Sequence, residues 1–257
     1  MARVDLSIVI PCYNEAAGIT ALRERIGHVL PILRDRGSVE LILVDDGSRD
    51  GTGDLLTTAF ADLPEARIVR HEDNRGLGVA LRTGFAQVSG AVVVTCDSDG
   101  TYPFHEIPAL LDRLTPGIDL VTASPYHPAG GIENVPPYRV LISKSASLCY
   151  RLLVDRRIHT YTALFRACRR EVIEATPTQA PGFLMVTEWL VEAVLAGAKV
   201  AEYPAVLHVR QYGQSKARVV QITFTHLRYL RQLVQRRLLG QTPPPLAQRL
   251  SQPTGKQ

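Results

Sequence analysis

The chain has 257 residues, 46% apolar and 21% charged, which is the composition of a globular protein with enough chain for one large α/β domain. Four cysteines without a CxxC pair and 19 glycines without a triplet period exclude a zinc ribbon, a disulfide scaffold and a collagen-like chain, and suggest a reducing compartment. The net charge of +4 hides an asymmetry: nine Lys/Arg and no Asp or Glu lie from Arg210 onward, leaving 20 basic against 25 acidic residues before it. A basic tail of this kind suits an anionic partner such as phosphates or a membrane surface, or it simply solubilises the chain.

The first half alternates short apolar runs with helical stretches. Leu6–Ile10 is β-branched and short, as buried strands are. Glu15–Arg34 carries Ile19, Leu22, Ile26, Val29 and Leu33 at helical spacing. Leu41–Val44 is a second strand. Asp50–Phe60 is a helix with Asp50 as candidate N-cap. Ala66–Arg70 is a third strand, Gly78–Val88 a helix and Ala91–Cys96 a fourth strand. Such alternation indicates a mainly parallel sheet covered on both faces, with ligands bound beyond the carboxyl ends of the strands.

The second half is less regular. Leu120–Ala123 is a strand, and the segment from Ser124 to Pro137, with four Pro and two Gly, is a long loop. Tyr138–Leu153 and Leu184–Leu195 are helices, and Val200–Val209 is extended. Val220, Phe224, Leu227, Leu230, Val234 and Leu238 recur every three or four residues, making one apolar stripe on a basic helix over 219–240. That stripe suits either a membrane surface or the domain core. Residues 1–218 then form the catalytic domain, and 241–257, with four Pro, is expected to be disordered. No apolar run approaches the roughly 20 residues a bilayer requires, and no secretory leader is visible, so a cytoplasmic chain is expected.

Three polar loops follow the first, second and fourth strands, and they should share one rim. They read Pro11-Cys12-Tyr13-Asn14-Glu15, Asp45-Asp46-Gly47-Ser48 and Asp97-Ser98-Asp99-Gly100. Four Asp and no Lys or Arg fall in them. Crowded carboxylates repel unless a cation or N–H donors relieve them. Asp97-x-Asp99 offers hard oxygen ligands to Mg²⁺ or Mn²⁺, which would neutralise a diphosphate leaving group. Asp45 and Asp46 suit a base or ribose, although Asp-Gly-Ser is also ordinary turn chemistry. Tyr13 suits a planar base. The segment from Asn74 to Gly78 lacks a Walker ending and reads as a tight loop into a helix. Arg210-x-x-Gly213-x-Ser215-Lys216 combines a planar donor fork with a point charge, which suits phosphate.

Together these motifs resemble family 2 glycosyltransferases, most closely the dolichyl- and polyprenyl-phosphate sugar (mannose) synthases. The resemblance runs from about Leu6 to about Lys216. It implies a GT-A-like fold and inverting transfer from a UDP- or GDP-sugar to a polyprenyl phosphate, with Mg²⁺ or Mn²⁺. By motif, Pro11, Tyr13, Glu15, Asp45 and Asp46 would hold the nucleotide, Asp97 and Asp99 the metal and diphosphate, and Arg210 and Lys216 the phosphates. Gly130–Asn134 resembles a loop over the active site, and Arg139 and Ser143, four apart on one helix, match residues that hold the lipid phosphate. Two departures stand out. Ser124-Pro125-Tyr126 lacks the usual Arg, and Thr160–Phe165 lacks the usual Asp and Gly.

A phosphate acceptor is already anionic and requires no strong general base. A hydroxyl acceptor would require one, and Glu188 is the candidate. His105 reads as a helix-start residue. A non-catalytic nucleotide-sugar-binding protein has less use for both charge clamps. Nucleic-acid binding is disfavoured by six Phe, one Trp and no basic stripe with interleaved aromatics.

Overall fold

β1 (Leu6–Cys12) pairs in parallel with β2 (Val39–Asp45) on one side and β4 (Val92–Thr95) on the other, and β2 pairs in parallel with β3 (Ala66–Arg70). The computed structural model describes residues 5–210, 219–241, 244–246 and 248. The phosphate-clamp residue Lys216 and most of the tail expected to be disordered lie outside the described residues.

The sheet has seven strands in the order β3-β2-β1-β4-β7-β5-β8, where β5 is Leu120–Ser124, β7 is Arg166–Arg169 and β8 is Val200–Pro204. Only β7 runs antiparallel to its neighbours. A second sheet of two parallel strands joins β6 (Gly131–Glu133) to β9 (Val206–His208). The mainly parallel α/β sheet therefore matches the expectation, with three adjustments. The loop after β5 contains a strand. The extended stretch 200–209 breaks at Ala205 into strands of two different sheets. β7 carried no apolar signal, because Arg166 and Arg169 bracket it.

Alternate side chains along each strand enter different cores. Ile8, Ile10, Leu41 and Leu43 pack with α1 (Ile19–Arg34), α2 (Thr52–Ala59) and α4 (Ile107–Asp112). Val9, Ile42, Val44 and Val93 pack with α3 (Leu77–Phe85) and α7 (Leu184–Leu195) on the other face. All five apolar residues expected on the buried side of α1 are buried. The second helix begins at Thr52 with Gly51 at its cap, and Asp50 accepts the Thr52 N–H at 3.0 Å from just outside. The third starts one residue earlier and ends three residues sooner than its pattern suggests.

Arg166 is fully buried beneath α7. Its guanidinium donates to Thr122 Oγ1 and to the carbonyls of Tyr161 and Val186, and it lies 5.5 Å from the Trp189 ring centre. Carbonyl acceptors and a π face take the place of a carboxylate around this cation.

α5 (Pro137–Leu153) packs against α8 (Val219–Leu238), with α6 (Arg170–Ala175) following β7. α8 docks through His226, Tyr229 and Leu233, all buried, and through Arg236, which pairs with Glu192 on α7. Five of the six stripe residues, Val220, Phe224, Leu227, Val234 and Leu238, are exposed, while Leu230 is partly buried and packs against the core. The helix therefore meets the core through a neighbouring face and Leu230, and leaves the rest of the stripe exposed.

Tyr150 Oη and His226 Nδ1 share a hydrogen bond of 2.9 Å, and burial pushes the imidazole down to about 4 from an ordinary 6.5. The folded value lies below the unfolded one, so between these pH values the unfolded chain binds more protons. Stability contributed by neutral His226 is present above about pH 6.5 and is lost as pH falls towards 4, with a limiting slope of about 1.4 kcal/mol per unit. His226→Gln, which does not titrate, is expected to flatten this part of a urea-unfolding pH series.

Candidate functional site

Because β1, β2 and β4 are parallel neighbours, the loops leaving their carboxyl ends meet at one rim. A cleft of about 640 Å³ opens there. Pro11, Tyr13 and Glu15 from the first loop, Asp46 from the second, and Asp97 and Asp99 from the third all line it. Arg139 and Ser143 on α5 and Arg210 after β9 line the same cleft. Asp45 does not.

The first two loops are tied together by side chains. Asn14, at φ +51°, accepts the Arg49 N–H at 2.9 Å, while its own N–H donates to Ser48 Oγ. The Glu15 N–H donates to Thr52 Oγ1 at 2.8 Å. Gly47 adopts φ +68°, and a Cβ there would lie 2.2 Å from the Asp73 carbonyl carbon, so the loop from β2 closes on the 73–76 loop only with glycine.

The two adjacent aspartates after β2 differ in what they meet. Asp45 accepts the Ser48 N–H at 3.1 Å and faces Arg70 Nε at 3.6 Å, which makes it a turn residue rather than a ligand facing the cleft. Asp46 accepts from His71 Nδ1 at 2.7 Å, Asn74 Nδ2 at 3.0 Å, Arg75 N at 3.0 Å and Gly76 N at 2.8 Å. Two donors on each carboxylate oxygen hold the 71–76 loop against the rim. His71, Asn74 and Gly76 were not expected here. Their signal is tertiary, since His71 reaches Asp46 only because β3 lies beside β2.

Glu15, Asp97 and Asp99 form the acidic end of the cleft. Arg210 bridges two of them, donating from Nη1 to Glu15 Oε1 at 2.8 Å and pairing through Nε with Asp99 Oδ2 at 2.9 Å. Asp99 Oδ1 accepts from the N–H and hydroxyl of Thr101. Asp97 is pushed up to about 8 by burial, then by Asp99, with Arg210 opposing and Glu15 adding to the rise. A carboxyl in this state is a poor anion until a cation arrives. Among the described residues no three metal-ligating side chains gather at one point. Two carboxylates with phosphate and water oxygens completing the shell is nevertheless how Mg²⁺ is commonly held, and Asp97 with Asp99 fits that donor set.

Two other candidates fall away. Glu188 accepts the N–H groups of Gln179 and Ala180 at 3.0 and 2.9 Å, so it fixes the loop before α7 and is not a base in the cleft. His105 is exposed and outside the cleft.

A family model described as Glycosyl transferase family 2 matches residues 7–176. The chain is 34% identical over 216 residues to a polyprenol monophosphomannose synthase of Mycolicibacterium smegmatis, covering 81% of this chain and 79% of that one. It is 33% identical over 233 residues to a dolichol-phosphate mannosyltransferase of Pyrococcus furiosus, covering 90% of this chain and 64% of that one. Among solved structures, glucosyl-3-phosphoglycerate synthase of Mycobacterium tuberculosis in complex with Mn²⁺, UDP and glucosyl-3-phosphoglycerate aligns with a TM-score of 0.65 at 23% identity, over 95% of this chain and 82% of that one. At that identity the likeness shows the fold.

Asp46→Asn turns an acceptor for two N–H groups into a donor facing them. The variant is expected to lose about 1–3 kcal/mol of stability in urea unfolding. The amides of Arg75 and Gly76 should exchange faster with solvent. Unchanged protection there would mean that the loop is held by other contacts.

Proposed function

The chain belongs to glycosyl transferase family 2, and on that premise we propose that it moves a sugar, with inversion, from a UDP- or GDP-sugar to a polyprenyl phosphate in a reaction that uses Mg²⁺ or Mn²⁺. The observation that carries this reading is one cleft lined both by Glu15, Asp97, Asp99 and Arg210 and by Arg139 with Ser143 on α5. The relatives named for transfer to polyprenol and dolichol phosphates support the acceptor.

In this reading Pro11 and Tyr13 hold the base and ribose of the donor, and Asp46 shapes that pocket through the 71–76 loop. Asp97 and Asp99 would hold the divalent cation, which when bound offsets charge growing on the departing diphosphate. Arg210, released in part from Glu15 and Asp99 as phosphates enter, pairs with them, and Lys216 does so by its motif. Arg139 and Ser143 fix the acceptor phosphate. One of its oxygens forms the bond to the anomeric carbon as the bond to the nucleoside diphosphate breaks. No general base is needed, because that oxygen is already anionic. Rate enhancement then comes from alignment and from charge already in place.

The acceptor would live in a bilayer, and the outer face of the molecule suits one. α5 and α8 lie side by side and carry no acidic residue. α5 exposes Tyr138, Leu141, Leu148 and Leu152, and α8 exposes its apolar stripe beside Arg228 and Arg231. No helix of the described residues is long and apolar enough to cross a membrane. A surface attachment on the cytoplasmic face, with each basic side chain contributing about 1 kcal/mol near anionic lipid, fits these features.

Labelled UDP- and GDP-sugars tested with Mn²⁺ and polyprenyl phosphate are expected to put label into the organic phase. Label transfer should disappear with EDTA and in Asp99→Ala, and Arg139→Ala should raise the acceptor KM while leaving the donor KM nearly unchanged. Equal use of polyprenyl alcohol and its phosphate would sink the acceptor assignment. For the membrane, Phe224→Ser with Leu227→Ser alters only exposed positions and spares the buried face of α8. The unaltered chain is expected to sediment with phosphatidylglycerol vesicles in a salt-sensitive way, and the double variant to stay in solution.

A further inference from the structure

The cleft wall that holds Arg139 and Ser143 contains a polar group the fold itself does not use. Tyr126 lines the cleft, and its phenolic oxygen is buried with no hydrogen-bond partner among the described residues. Buried hydroxyls are nearly always paired, so an unpaired one at the wall of a binding cleft calls for a ligand.

The residue is held ready for one. Its N–H donates to Thr160 Oγ1 at 3.3 Å, and Thr160 Oγ1 also shares a hydrogen bond with Ser124 Oγ at 2.9 Å. Thr160 is fixed in turn by its own N–H, which donates to Glu202 Oε1 at 3.2 Å. The Ser143 hydroxyl lies beside the phenol and is paired with Thr162 Oγ1 at 2.7 Å. Burial raises the Tyr126 phenol above its ordinary value and the Ser143 hydroxyl opposes this in part; the phenol is a donor at neutral pH in either case. Pro125 just before it contributes neither an N–H nor a side-chain donor. From Ser124 to Ser143 the only acid is Glu133, and it faces His208 at 3.2 Å. A donor hydroxyl beside a second hydroxyl, in a cleft that Arg139 also lines and with no unpaired carboxylate in its segment, suits an anionic oxygen.

We propose that Tyr126 is a third ligand of the acceptor phosphate, its O–H donating to a phosphate oxygen alongside Arg139 and Ser143. This rests on the polyprenyl phosphate reading above. A neutral phenol then does here what a second cation would otherwise do, and it contributes direction without adding charge.

Tyr126→Phe in the full chain tests it, since only the hydroxyl is lost. Because the phenol makes no hydrogen bond of good geometry and meets only the Ser143 hydroxyl among the described residues, the variant should unfold thermally at nearly the same temperature as the unaltered chain. Its acceptor KM should rise by about tenfold or more, the scale of one hydrogen bond to a charged group, with the donor KM unchanged. An unchanged acceptor KM, a rise confined to the donor KM, or a fall of several degrees in unfolding temperature would each overturn the assignment. Failure of the unaltered chain to glycosylate polyprenyl phosphate would instead remove the acceptor reading, and this inference with it.

Discussion

Parallel strands place their carboxyl ends side by side, and in this chain each of the loops leaving β1, β2 and β4 brings carboxylates to that rim. Burial, and then the nearby charges of Asp99 and Glu15, make Asp97 harder to ionise. The Arg210 guanidinium is the counterweight. It reaches Glu15 across 195 residues of sequence and joins the first loop of the fold to the segment after its last strand. That bridge pairs directly with Glu15 and Asp99, while at Asp97 the same cation only partly opposes burial and the neighbouring carboxylates. The site is thus built with room for one more positive centre, which is what a divalent cation would add.

Other carboxylates are engaged by fixed donors, and this separates scaffold from site. Asp46 spends both oxygens on four donors. Glu188 spends one on two backbone N–H groups, and Glu202 anchors His159 and Thr160 beneath the Tyr126 loop. Acids satisfied by fixed N–H groups cannot follow a substrate. They give the loops their shape, and shape decides where Asn74, Gly76 and Tyr126 stand in the cleft. Thr160, where the family resemblance leads one to expect Asp, has a place in this arrangement, because its hydroxyl pins Ser124 and Tyr126 without introducing a charge.

The outer surface follows a similar division of labour. α8 commits His226, Tyr229 and Leu233 to the core and Arg236 to Glu192, and these contacts leave most of its apolar stripe exposed. α5 contributes Arg139 and Ser143 to the cleft and leucines to the outside. One helix therefore carries both cleft-lining polar side chains and exposed leucines.

Much of this was legible in the residues themselves. Apolar runs at strand length alternating with 3.6-residue periodicity specify a parallel sheet covered on both faces, and the polar loops after β1, β2 and β4 specify its working rim, because backbone pairing forces those loops together. Motif chemistry likewise marked Asp97, Asp99 and Arg210, and the family resemblance marked Arg139 and Ser143; all five line the cleft. Three things were not legible. Asp45 and Asp46 are chemically identical, and only the register of β2 against β3 sends one to a turn and the other to the 71–76 loop. β7 carries arginines at both ends, and its burial depends on carbonyls and a tryptophan ring from distant segments. Periodicity shows that α8 has an apolar stripe, but not that a second face with His226 and Tyr229 would take the core. In each case the deciding energy comes from partners remote in sequence, so local pattern defines the element and tertiary packing alone chooses which side chains are used up and which remain free to act.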